Sequence, residues 1–92
     1  MKITVLFLGI MKIFTGEDAV IFDFPNQASY GDLMRHIGQR FSGKMPEEIW
    51  DAESKTFKGL VLAVGEGRDL QSSDTLLKEN EEIKIMLALA GG

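Results

Sequence analysis

Apolar positions along this chain recur with two different periods. Ile3-Thr4-Val5-Leu6-Phe7-Leu8 is rich in β-branched and aromatic residues and apolar on both alternating faces, which predicts a central strand. Thr15-Gly16-Glu17-Asp18 has the composition of a turn. Ala19 to Phe24 then sets Val20, Phe22 and Phe24 against Ala19, Ile21 and Asp23, the alternation of a hairpin partner, and Pro25-Asn26 ends it. After Ser29 the period lengthens. Leu33, Met34, Ile37 and Phe41 recur at three- and four-residue spacing, with Arg35, His36, Gln39 and Arg40 on the other face, which predicts an amphipathic helix stopped by Ser42-Gly43. Ser29 at its cap and Asp32 three residues later suit the free N–H groups of its first turn.

Gly59 to Val64 is a second strand that is apolar on both faces, followed by the turn Gly65-Glu66-Gly67-Arg68 and a short return near Asp69-Leu70-Gln71. Ser72 to Leu77 reads as a tight turn presenting its leucines inward, Lys78 to Glu82 as a polar turn, and Ile83 to Leu89 as the last strand. Within Lys44 to Lys58, Pro46 suits the first position of a short helix, with Ile49 and Trp50 folding onto the edge of the core. The order strand, strand, helix, strand, short strand, strand predicts an α+β domain spanning residues 1–92, with a mixed four- to five-stranded sheet packed on one main helix. This is the β-grasp arrangement.

One helix covers one face of such a sheet, so the other face is expected to be polar unless something lies on it. Strand side chains alternate, so if Ile3, Val5 and Phe7 meet the helix, then Thr4, Leu6 and Leu8 point away. Likewise Ile83, Ile85 and Leu87 belong to the core, while Lys84, Met86 and Ala88 face outward. Leu6, Leu8 and Met86 thus form an apolar group on the side expected to be wet. Scattered surface hydrophobes or a covering Lys44–Lys58 segment account for this. So does a partner-binding surface at Leu8 and Met86.

Composition narrows the chemistry. Cysteine is absent, which excludes disulfides, thiolate nucleophiles, zinc ribbons and thiolate-held iron–sulfur clusters, including those of β-grasp electron carriers. The one histidine, His36, cannot build a multi-histidine metal site. Fourteen acidic and ten basic residues give a net charge of −4, unsuited to the phosphate backbone of a nucleic acid. Lys12 interrupts the apolar N-terminal run and no small-residue cleavage site follows, so a signal peptide is not expected. No stretch approaches the length of a membrane span, and the expected location is the cytoplasm.

The candidate motifs are few. Gly65-Glu66-Gly67 lacks the third glycine and following helix of a phosphate loop and reads as a hairpin turn. Asp51, Glu53 and Glu79 to Glu82 do not have the spacing of a cation-binding loop, so no metal site is expected. Ser29, Asp32 and His36 share one helical neighbourhood, where a capping serine and a surface histidine explain them without a catalytic triad. The most informative pair is Gly91-Gly92. Residues without Cβ thread as a thin, flexible peptide into a partner's active site, and the α-carboxylate of Gly92 is a chemical handle once activated. A frayed end that happens to be glycine is the alternative.

Taken in order, the apolar N-terminal hairpin, the helix start Ser29-Tyr30-Gly31-Asp32-Leu33, the run Gly59 to Val64, the segment Ser73 to Ile85 and the ending Gly91-Gly92 resemble the ubiquitin-like sulfur carriers. The chain is most similar to the small subunit of molybdopterin synthase. Where that family usually has glycine in the acidic turn, this chain has Asn80, which also enters the left-handed region. The resemblance implies that the chain is not catalytic by itself. It implies that an adenylating, ubiquitin-activating-like enzyme uses ATP on Gly92, that Gly91 permits threading, and that sulfur is carried as a thiocarboxylate. No bound cofactor is implied. The other implied partner is the large subunit of molybdopterin synthase, in a hetero-oligomer docked through Leu8 and Met86. Neither a nucleic acid nor a membrane is implied. A protein modifier, or a carrier serving thiamine or tRNA thiolation, has the same architecture.

Overall fold

Two strands from opposite ends of the chain, β1 (Lys2–Phe7) and β7 (Glu82–Leu87), lie parallel at the middle of the sheet, with Val5 opposite Ile83 and Phe7 opposite Ile85. The computed structural model describes residues 1–88. Antiparallel neighbours flank this pair: β2 (Ala19–Asp23) beside β1, and β5 (Val61–Gly65) beside β7. The two-residue β6 (Arg68–Asp69) completes the order β2-β1-β7-β5-β6. The expected β-grasp architecture is therefore present, with β1 and β7 buried on their inner faces at Ile3, Val5, Phe7, Ile83 and Ile85.

The main helix, α2 (Tyr30–Phe41), lies against that inner face through Leu33, Met34, Ile37 and Phe41, the residues its periodicity selects. The Phe41 ring meets Phe7 edge-on at 5.3 Å. Its start is a reciprocal capping box: the Asp32 amide donates to Ser29 Oγ at 3.1 Å, and the Ser29 amide donates to Asp32 Oδ2 at 2.9 Å. The Tyr30 and Gly31 amides donate to the Thr75 and Ser73 carbonyls, which ties the Ser72–Leu77 segment across the helix start. Leu77 is buried there, whereas Leu76, expected to face inward, is 54% exposed.

The connection from β1 to β2 differs from the expected plain turn. Ile10–Thr15 form a short helix, α1, between Gly9 and Gly16. Met11 and Thr15 are buried on one side and Phe14 packs against the core, the three- and four-residue spacing of one helix face. The Thr15 hydroxyl donates to the Met11 carbonyl at 2.9 Å and is itself fully buried.

The segment after α2 forms a 3-10 turn at Ser42–Lys44 and a turn at Pro46, where the Ile49 and Trp50 amides both donate to the Pro46 carbonyl, in place of the expected short helix. It continues as a separate hairpin of β3 (Trp50–Asp51) and β4 (Thr56–Phe57). Ile49 and Trp50 are buried as expected. Trp50 stands edge-on to Phe57 at 5.1 Å and lies over Gly38 of α2, where a Cβ would come within 2.7 Å of the indole ring. The hairpin thus packs on the helix side, and among the described residues it leaves the far face of the sheet open.

Candidate functional site

The open face can be built from register alone. On β1, Leu6 lies opposite Ala19 of β2 and Lys84 of β7, and Lys84 lies opposite Val64 of β5. One step along, Met86 lies opposite Leu62, and the Leu8 amide donates to the Ile85 carbonyl at 2.9 Å, which continues the parallel ladder and sets Leu8 beside Met86. A further step brings the Ala88 amide to the Leu60 carbonyl at 2.7 Å. The structure therefore brings Leu8 and Met86 together. It surrounds them with Leu6, Leu62 and Leu60.

This group is contiguous and accessible. Leu6, Leu8, Val64 and Met86 are half-buried, and Leu62 and Leu60 are 44% and 55% exposed. An exposed apolar group of this extent on one face of a small domain marks an interaction surface more often than a random scatter does. Leu60 and Leu62 do not stand out in the sequence as candidate site residues. Their signal lay in the two-sided apolar character of Gly59 to Val64, because a strand with one wet face has no reason to be apolar on both.

Beyond Ala88 the chain continues into residues 89–92. Leu89, expected to end the last strand, and Gly91 and Gly92 lie outside the described residues; β7 itself ends at Leu87. Leu60 flanks the point of departure on the β5 side. The helix α1 packs beside β7 and carries Ile13, which is 77% exposed.

The opposite end of β7 is anchored by Glu81. The polar turn was expected to be solvated, yet this carboxylate is fully buried. It accepts two bonds from Arg68, from Nη2 at 2.7 Å and Nε at 3.2 Å, one from the Lys78 amide at 2.8 Å and one from the Glu66 amide at 2.9 Å. Burial pushes its pKa up, but these donors outweigh that effect and hold it below the usual range. Gly65 makes the room, since any Cβ there would collide with the carboxylate. The Asn80 φ of 60° places the preceding residue in the left-handed region, as the asparagine allows.

The other candidate residues have local employment. Ser29 and Asp32 satisfy each other and the helix start, while the His36 ring packs at a tilt against Phe24, 4.6 Å between centroids. Asp51 Oδ1 accepts from the Glu53 amide within its own hairpin turn. Gly65-Glu66-Gly67 is the β5–β6 turn. An open hollow of about 460 Å³ lined by Met1, Asn26, Gln27 and Leu76 to Glu79 gathers no nucleophile with a base. Among the described residues no cluster of three metal-ligating side chains occurs, and no helix is long and apolar enough to cross a membrane.

No protein-family model and no curated protein sequence matches this chain. Solved structures do. SAMP1, a small archaeal modifier protein from Haloferax volcanii, superposes with a TM-score of 0.80 at 11% identity over 100% of both chains. This chain has the ubiquitin-like β-grasp fold. A Pyrococcus furiosus protein assigned as molybdopterin converting factor subunit 1 has a TM-score of 0.73 at 22% identity, covering 97% of this chain and 99% of its own. A chain of the Amycolatopsis orientalis BexX/CysO complex gives 0.65 at 19% identity, with 98% and 99% covered. The likeness to these ubiquitin-like proteins is one of fold.

Proposed function

We propose that this ubiquitin-like domain is a sulfur carrier, with Gly92 as the cargo site and the open face around Leu8 and Met86 as its docking surface. The observation that carries the reading is the closeness of the two along the chain: β7 supplies Met86 to the apolar face, and Gly92 follows Met86 by six residues in the sequence. A partner seated on that face therefore receives the tail. The Gly92 carboxylate attacks the α-phosphorus of ATP in an activating enzyme, pyrophosphate leaves, and an acyl-adenylate forms. A donor at the sulfide oxidation level then attacks the acyl carbon, AMP leaves, and a thiocarboxylate remains. ATP belongs to the activating partner, and the carrier contributes position and a small, unbranched tail.

The acceptor we propose is a pterin precursor held by the large subunit of a molybdopterin synthase. The Pyrococcus furiosus likeness and the near-complete coverage support that assignment. The second reading, favoured by the likeness to the archaeal modifier, is transfer of the same activated carboxyl to lysines of other proteins.

Intact mass separates these outcomes. With an adenylating enzyme, ATP and a sulfide donor, the carrier gains one oxygen-to-sulfur exchange, and deletion of Gly91-Gly92 abolishes it. An unchanged mass, or a shift that survives the deletion, overturns the proposal. Lysine-linked adducts without the exchange select the modifier.

A further inference from the structure

Lys84 is the exception on the open face. It stands on the central strand β7, opposite Leu6 on one side and Val64 on the other, with Met86 two residues further along the same face. Lysine commonly guards exposed edge strands against unwanted pairing, but β7 is hydrogen-bonded on both sides and has no edge to guard. Glu82 shares the face two residues earlier and Asp69 lies beyond Val64. None of the four ion pairs among the described residues includes Lys84.

A partner that covers Leu6, Leu8, Leu62 and Met86 also covers the ammonium among them. Burying that charge without a counter-charge is strongly unfavourable, whereas a carboxylate placed opposite it makes the contact favourable and fixes its register. The surrounding protein carries a net charge of −4, so a partner selected by overall charge would be basic. The centre of this face selects the reverse.

Building on the carrier reading above, we infer that the activating enzyme meets this face with an apolar surface bearing a single carboxylate opposite Lys84. That pairing is the specificity element which aligns the tail. Residues 89–92 follow in the chain from the strand that carries Lys84, so an adenylating enzyme docked on this face lies next to the tail that it activates.

The test is ATP-dependent pyrophosphate release by an adenylating enzyme of the ubiquitin-activating type encoded in the same genome, measured against carrier concentration. Lys84→Glu raises the KM for the carrier about tenfold or more, Lys84→Met raises it severalfold, and Lys84→Arg stays within about twofold of the parent. Maximal rate changes little, and circular dichroism confirms that the exposed substitutions leave the fold intact. A Lys84→Met carrier that works as well as the parent, or better, overturns the inference, since a lysine kept only for solubility behaves that way. An unsubstituted chain that releases no pyrophosphate overturns the carrier reading and this inference together. A parent that is active with a KM indifferent to Lys84 overturns this inference alone.

Discussion

Arg68 and Glu81, thirteen residues apart, join the β5–β6 hairpin to the start of β7 through a two-bond ion pair whose carboxylate is completely buried. The pair is a local clamp on the central strand. It sits at the opposite end of β7 from the tail, so it holds the strand that presents Lys84 and Met86 without touching the open face.

Removing the carboxylate leaves the Lys78 and Glu66 amides without their acceptor and Arg68 with the Leu76 carbonyl alone. Glu81→Ala is expected to lower stability by about 3 kcal/mol, and Glu81→Gln by less because an amide oxygen still accepts from the backbone. Urea unfolding at neutral pH measures both. A loss below about 1 kcal/mol for the alanine variant would show that the turn holds without the clamp.

The same carboxylate sets an acid limit. Donors from Arg68, Lys78 and Glu66 bring the Glu81 pKa below its ordinary 4.5 despite burial, and the Ser29 amide and Arg35 bring Asp32 below 3.8. A carboxyl whose folded pKa is depressed binds fewer protons than in the unfolded chain. Its stabilisation is complete above the unfolded value and disappears as pH falls through the folded one. Stability is therefore expected to be flat down to about pH 5 and to decline below it. Unfolding midpoints measured from pH 7 to pH 3 check this, and Glu81→Gln should show a shallower decline.

On the open face, Leu62→Glu is expected to change stability by no more than about 0.5 kcal/mol, since the side chain is 44% exposed. It is expected to raise the KM for tail activation about tenfold, as Leu8→Glu and Met86→Glu also should. Ile21→Glu is the control. Ile21 is 61% exposed on β2, opposite Thr4 and away from the tail, and its replacement should leave activation unaltered. Equal effects at Leu62 and Ile21 would remove the case for a localised docking surface.

Gly38 tests the packing of the separate hairpin. Alanine normally favours a helix interior over glycine by about 1 kcal/mol, but here its Cβ would press on the buried Trp50 ring. Overpacking of about 1–3 kcal/mol wins, so Gly38→Ala is expected to be destabilising by about 1 kcal/mol and to alter Trp50 fluorescence. A stabilised variant with unchanged fluorescence would mean that the ring moves aside freely.

Much of this was legible in the chain. The two-sided apolar runs of β1 and β5, the alternation of β2 and β7 and the longer period of α2 identify the elements, and Ser29 with Asp32 marks the helix start. The outward parity of Leu8 and Met86 follows from a period of two. Less legible were α1, whose six residues are too few for a clear period, and Glu81, whose neighbours are all polar and whose burial depends on Arg68 from another turn.

By itself, then, the sequence determined the alternation of faces along the strands and the inward stripe of the main helix, because side-chain direction follows from local backbone geometry. By omitting cysteine it also excluded disulfides and thiolate chemistry. Only the tertiary structure decided that the Trp50 hairpin lies on the helix rather than over the sheet, and that Leu62 joins Leu8, Met86 and Lys84 on one surface. Those relations join segments distant in sequence, and strand order and register are set by packing between elements, which no local pattern encodes.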